Sequence, residues 1–96
     1  MKIVFYEEAY EELKYAIDFY NEISLNLSEK FKKNISDKIE QIRLFPYSCQ
    51  KFFTGYRKCI LLKFPYAIIY KIENGTIYII AIANTNKKPF YWKDRK

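Results

Sequence analysis

The stretch from residue 56 to residue 83 constrains the chain most, because three apolar runs stand there almost back to back. Residues 57–64 read RKCILLKF, 66–73 read YAIIYKIE and 76–83 read TIYIIAIA. Their length and their Ile, Tyr and Phe content predict strands. Asn74-Gly75 separates the second run from the third and suits a type I′ turn, whose two central residues both need φ > 0. Pro65 separates the first from the second; lacking an N–H, it belongs in a turn or at a strand end. Connections this short exclude a crossover helix, so the three strands form an antiparallel meander. Alternation puts Tyr66, Ile68, Tyr70 and Ile72 on one face and Ala67, Ile69 and Lys71 on the other. In the third run Tyr78, Ile80 and Ile82 oppose Ile77, Ile79 and Ala81. Both faces are largely apolar, so both need cover, one from the rest of the chain and the other open to a partner such as an acidic protein segment.

The preceding half supplies one cover. Residues 2–6 (KIVFY) form a short strand expected to join the sheet. Glu7 and Glu8 open a helix, where negative charge suits the dipole. Ala9, Leu13, Ala16, Ile17, Tyr20 and Ile23 carry its apolar stripe to about Ser24. Glu11, Glu12, Lys14, Asp18 and Glu22 are placed on a solvated outer face, a reading preferred to catalytic carboxylates. Residues 25–28 form a break, with Asn26 or Ser28 capping a second helix. Phe31, Ile35, Ile39 and Ile42 continue the stripe to about Phe45, and Pro46 stops it. The short break makes the helices an antiparallel hairpin on one sheet face. The fold class is α+β: an N-terminal strand, a helical hairpin on an antiparallel meander, and a basic C-terminal tail. Ninety-six residues make one domain, 1–96.

Residues 46–55 are assigned to a loop, with Phe52-Phe53 anchoring it in preference to stacking on bases. Residues 1–48 carry a net −2 and residues 49–96 a net +8. The basic half points to an anionic partner, either nucleic acid or an acidic protein segment. In the tail, Lys87, Lys88, Lys93, Arg95 and Lys96 interleave with Phe90, Tyr91 and Trp92. Two readings stay open: the aromatics stack on bases beside phosphate-pairing cations, or they lid the second sheet face. The tail is expected to carry much of the activity and less of the folding, with Lys87 and Arg95 as exposed charges.

The chain has no histidine, which excludes Ser-His and Cys-His catalysis and almost every zinc site. Cys49 and Cys59 alone make no metal site. With only Gly55 and Gly75 there is no phosphate cradle, so no cofactor is expected. No signal-like or membrane-spanning apolar run is present, so the protein is expected in a reducing cytoplasm with free thiols and no membrane partner.

Several motifs recur in one order. They are Ala9-x3-Leu13, Pro46, residues 55–58 (GYRK), 64–70 (FPYAIIY), 80–83 (IAIA) and Pro89-Phe90-Tyr91-Trp92-x2-Arg95. The series resembles the RelE/ParE superfamily of bacterial type II toxins over nearly the whole chain. The resemblance implies a small basic toxin neutralised by a co-expressed, cognate antitoxin. RelE-like members are ribosome-dependent messenger RNA endonucleases; ParE-like members poison DNA gyrase and are not known as nucleases. The Phe-Pro-Tyr and Pro-x-Tyr-Trp-x2-Arg signatures look more like the ParE side. Many relatives have His where Asn84 stands and Arg where Lys87 stands, and RNA-cleaving members carry an arginine near Thr85. Arg57, Lys58, Lys87, Lys88, Tyr91, Trp92 and Arg95 are the expected target- or antitoxin-binding residues. Arg57, Lys87, Tyr91 and Arg95 are the catalytic candidates if the chain is a ribosome-dependent nuclease acting on messenger RNA. A non-toxic protein- or RNA-binding module on the same fold is a third reading.

Overall fold

A computed structural model describes all of residues 1–96. Strand β1 (Lys2–Phe5) leads into helices α1 (Glu7–Ile23) and α2 (Leu25–Leu44). Strands β2 (Gln50–Phe53), β3 (Tyr56–Ile60), β4 (Tyr66–Glu73) and β5 (Thr76–Asn84) follow, and residues 85–96 form the tail. The sheet order is β1-β5-β4-β3-β2. The expected α+β class and meander are present, with Asn74 and Gly75 both at positive φ in the β4–β5 turn.

Four local expectations change. The helices are separated by one residue, because extended Ser24 ends α1 and its Oγ accepts from the Leu27 amide at 3.2 Å. Ser24 thus caps α2, not Asn26 or Ser28, and Ser28 is buried inside the helix. The first run stops at Ile60 and turns through residues 61–65. Residues 50–53, assigned to the loop, form the edge strand β2. β1 pairs with β5 in parallel, so the sheet is mixed.

The thiol expectation is also corrected: Cys49 and Cys59 are joined as a disulfide, with Cα atoms 5.4 Å apart. The β2–β3 register explains why they meet. Gln50 faces Lys58, so the preceding Cys49 comes opposite Cys59.

A bulge in β5 reassigns its side chains. Ile69 faces Ala81 while Tyr70 faces Ile79, so Ile80 is the extra residue. Alternation therefore slips, and Ile77, Ile79 and Ile82 face the helices while Ile80, Ala81 and Ala83 face the other way. The helix side holds a cluster of 16 buried residues, including Phe31, Ile42, Ile68 and Tyr70. Trp92, 2% exposed, centres a six-residue cluster on the opposite face. Phe52, Tyr56, Phe90 and Tyr91 pack around it. The tail itself, and not a partner, is thus the second cover, which leaves no bare sheet face for a partner to bind.

Candidate functional site

Beyond Phe5, β5 loses its outer neighbour; the last bond of that edge runs from the Tyr6 amide to the Ile79 carbonyl, 2.9 Å. The backbone groups past the bulge need other partners. The Glu12 carboxylate takes the Ile82 amide at 3.0 Å, and Arg95 donates to the Ile80 carbonyl at 3.0 Å. Arg95 also grips Glu12 with both Nη atoms, each at 2.9 Å. The Tyr91 hydroxyl donates to the second Glu12 oxygen at 2.6 Å. Both members of the ion pair are mostly shielded, with side chains 16% and 23% exposed. Two-pronged guanidinium–carboxylate pairs are the stronger, more directional kind.

This clasp overturns two expectations. Glu12 is not a solvated charge of the outer helix face, because α1 passes over the open edge of β5 there. Arg95 is not a free tail charge, because Glu12 and Ile80 satisfy it. Hydrogen bonding to Glu12 raises the Arg95 pKa. Burial, then the bond to Glu12, holds the Tyr91 phenol far above its ordinary value. A phenol so held donates to Glu12 and offers no base near neutral pH. Glu12 was not legible as part of a site: its partner lies 83 positions away.

Arg57 and Lys58 are adjacent on β3 and so point to opposite faces. Arg57 turns from the tail, donating to the carbonyls of Tyr47 (3.1 Å) and Cys49 (2.8 Å) and stacking over the Tyr47 ring. It braces the segment entering β2 and does not join the tail residues. Lys58 lies over the Phe52 ring, 4.3 Å from its centre, on the tail side. Lys87 and Lys88 are exposed at the start of the tail. These three lysines line one cavity of about 270 Å³ between the sheet face and the tail. Trp92 forms its inner wall. The seven expected residues thus divide into a cationic pocket mouth (Lys58, Lys87, Lys88), a structural clasp (Tyr91, Arg95), a core anchor (Trp92) and a separate brace (Arg57).

No helix is long and apolar enough to cross a membrane. No three His, Cys, Asp or Glu side chains converge closely enough to hold a metal ion.

Comparison with known proteins adds to this geometry. The family described as "ParE toxin of type II toxin-antitoxin system, parDE" matches residues 3–89. A solved structure described as the chromosomal ParDE TA system from P. aeruginosa superposes with a TM-score of 0.63. That match is 21% identical and covers 88% of this chain and 95% of that one, a likeness of fold. No curated protein matches the chain.

Proposed function

Since the chain belongs to the ParE toxin family of type II toxin–antitoxin systems, we propose that it arrests growth by acting on DNA gyrase and is neutralised by a cognate antitoxin. The observation that carries the target reading is the clasp. Cleaving RNA by 2′-hydroxyl attack needs a base, an acid and charge stabilisation at the phosphate. Of the nuclease candidates, Tyr91 and Arg95 are bound to Glu12 and Arg57 faces the other side, which leaves Lys87 alone. That set suits binding better than phosphoryl chemistry. The P. aeruginosa relative is described as a ParDE system, which supports an antitoxin partner for this chain too.

Inducing the chain alone in a bacterium, with pulse-labelling of DNA and protein synthesis, tests the target. Replication should fail first, with DNA-damage signalling. Early loss of translation would instead identify a ribosome-dependent nuclease, and undisturbed growth at good expression would refute the toxin reading. The antitoxin is expected to pair its carboxylates with the basic half and to cover a sheet edge. Its association rate should fall between low and physiological salt. The place of action in this reading is the cytoplasm. There the Cys49–Cys59 bond would face reductants. Alkylating thiols in acid-quenched cells, then counting the labels, would report which state the pair holds.

A further inference from the structure

The cavity between tail and sheet has a composition that neither the clasp nor the core explains. Its floor is apolar sheet, including Ile69, and Phe90 closes one side. Lys58, Lys87 and Lys88 stand around it, and no Asp or Glu lines it. Ion pairs elsewhere occupy Lys14, Lys32, Lys33, Lys71, Arg43 and Arg95, but none of these three lysines. Concentrating like charge around one cavity is unfavourable without an anion to offset it. The clasp 83 residues apart in sequence fixes the tail here, so the lysines are held near one another before any ligand arrives.

We propose that this cavity binds a phosphate group, with Lys58, Lys87 and Lys88 as its cationic contacts. Three ammonium groups match the double charge of a phosphate monoester better than the single charge of a carboxylate, and lysine serves phosphate as a point charge. The volume admits one such group with its attached sugar or base, not an extended chain. The same chemistry reaches the cavity from a free nucleotide or from the terminal monoester phosphate of a single nucleic-acid strand. The site is independent of whether gyrase is the target.

The test uses the full chain at low salt, with inorganic phosphate, adenosine monophosphate, acetate and a short single-stranded oligonucleotide carrying a 5′-phosphate as probes. Binding is read by NMR shifts of the lysine side chains and by fluorescence of Trp92. Two charge-matched variants are compared: Lys58→Gln/Lys87→Ala, and Lys30→Ala/Lys63→Ala on surfaces away from the cavity. Glutamine keeps part of the stem over Phe52, and thermal melts confirm that each variant is folded. Phosphate and the nucleotide should bind, and the pocket variant should weaken them by about 10-fold or more, while the control changes them by less than about 2-fold. If the source is a strand, the oligonucleotide binds tighter than the nucleotide, with a log–log salt slope of about −0.7 for the one phosphate seated in the cavity. If the source is a free nucleotide, the oligonucleotide gains nothing. Either outcome supports the site. Equal losses in both variants, or acetate or an acidic peptide binding as well as phosphate, would overturn it.

Discussion

On one face of the sheet a helical hairpin buries its share of a 16-residue cluster; on the other a twelve-residue tail closes over a cluster of six. The hairpin is held by area. Phe31, fully buried, meets Tyr20, Phe64 and Tyr66 with ring centres 5.0–5.4 Å apart. The tail has one large anchor, Trp92, and one polar clasp, Glu12 with Tyr91 and Arg95. A cover made of many small contacts yields gradually, whereas a cover made of two attachments is only as secure as either.

The largest effect should come from truncating the two anchors. Phe31→Ala is expected to cost about 3–5 kcal/mol and to speed hydrogen exchange throughout the domain. Trp92→Ala should cost about 3 kcal/mol, with the faster exchange confined to the tail and to residues 80–83. Uniform exchange in both variants would erase the distinction between the faces.

The hairpin side was legible in the sequence because its signals are local. The 3.6-residue stripe, Pro46 and Asn74-Gly75 each act over a few positions. The misread parts depend on distant residues. Gln50–Phe53 was missed as a strand since its pattern, QKFF, does not alternate, and an edge strand with a bulge needs no alternation. The parallel direction of β1 leaves no mark in KIVF. The bulge at Ile80 hides within an unbroken apolar run, so plain alternation exchanges the faces of Ala81 and Ile82. Lys58, Lys87 and Lys88 were recognised as candidates from charge, but only the folded tail brings them to one cavity.

Next in size is the clasp. Glu12→Ala leaves a mostly shielded guanidinium and the Ile82 amide without their acceptor, at an expected cost of about 1–3 kcal/mol by chemical denaturation. The tail should loosen while the helices keep their exchange protection. Loss of protection across α2 as well would mean that the clasp supports both faces.

Tyr91→Phe removes one hydrogen bond, for about 0.5–1.5 kcal/mol at neutral pH. It should also change the alkaline profile. The Tyr91 pKa is raised in the folded state, so the folded chain keeps a proton that the unfolded chain releases above its ordinary value of 10.0. That stability is present below pH 10 and is lost as pH rises beyond it. Denaturant midpoints from pH 8 to 11 should therefore fall less steeply in the variant than in the parent. Tyr20, Tyr66 and Tyr70, also raised by burial, keep some slope in both.

The smallest change concerns the well-packed side. Ser28 Oγ is buried without a hydrogen-bond partner. Ser28→Ala should leave the melting temperature unchanged or raise it, by up to about 0.5 kcal/mol in stability, since alanine is also the better helix former. A clear drop would reveal a partner for that hydroxyl.

The pairing of the first strand with the last has a consequence for synthesis. Lys2–Phe5 emerges from the ribosome long before residues 76–79 and must wait for them before it has a neighbour. Glu12 waits longer still, for Arg95, 83 positions on. Closing such distant ends is slow compared with forming a helix. The helices can form while translation continues, but the second face of the sheet stays bare until the tail has emerged. A product that stops short of Arg95 would lack the guanidinium that ties the tail to α1.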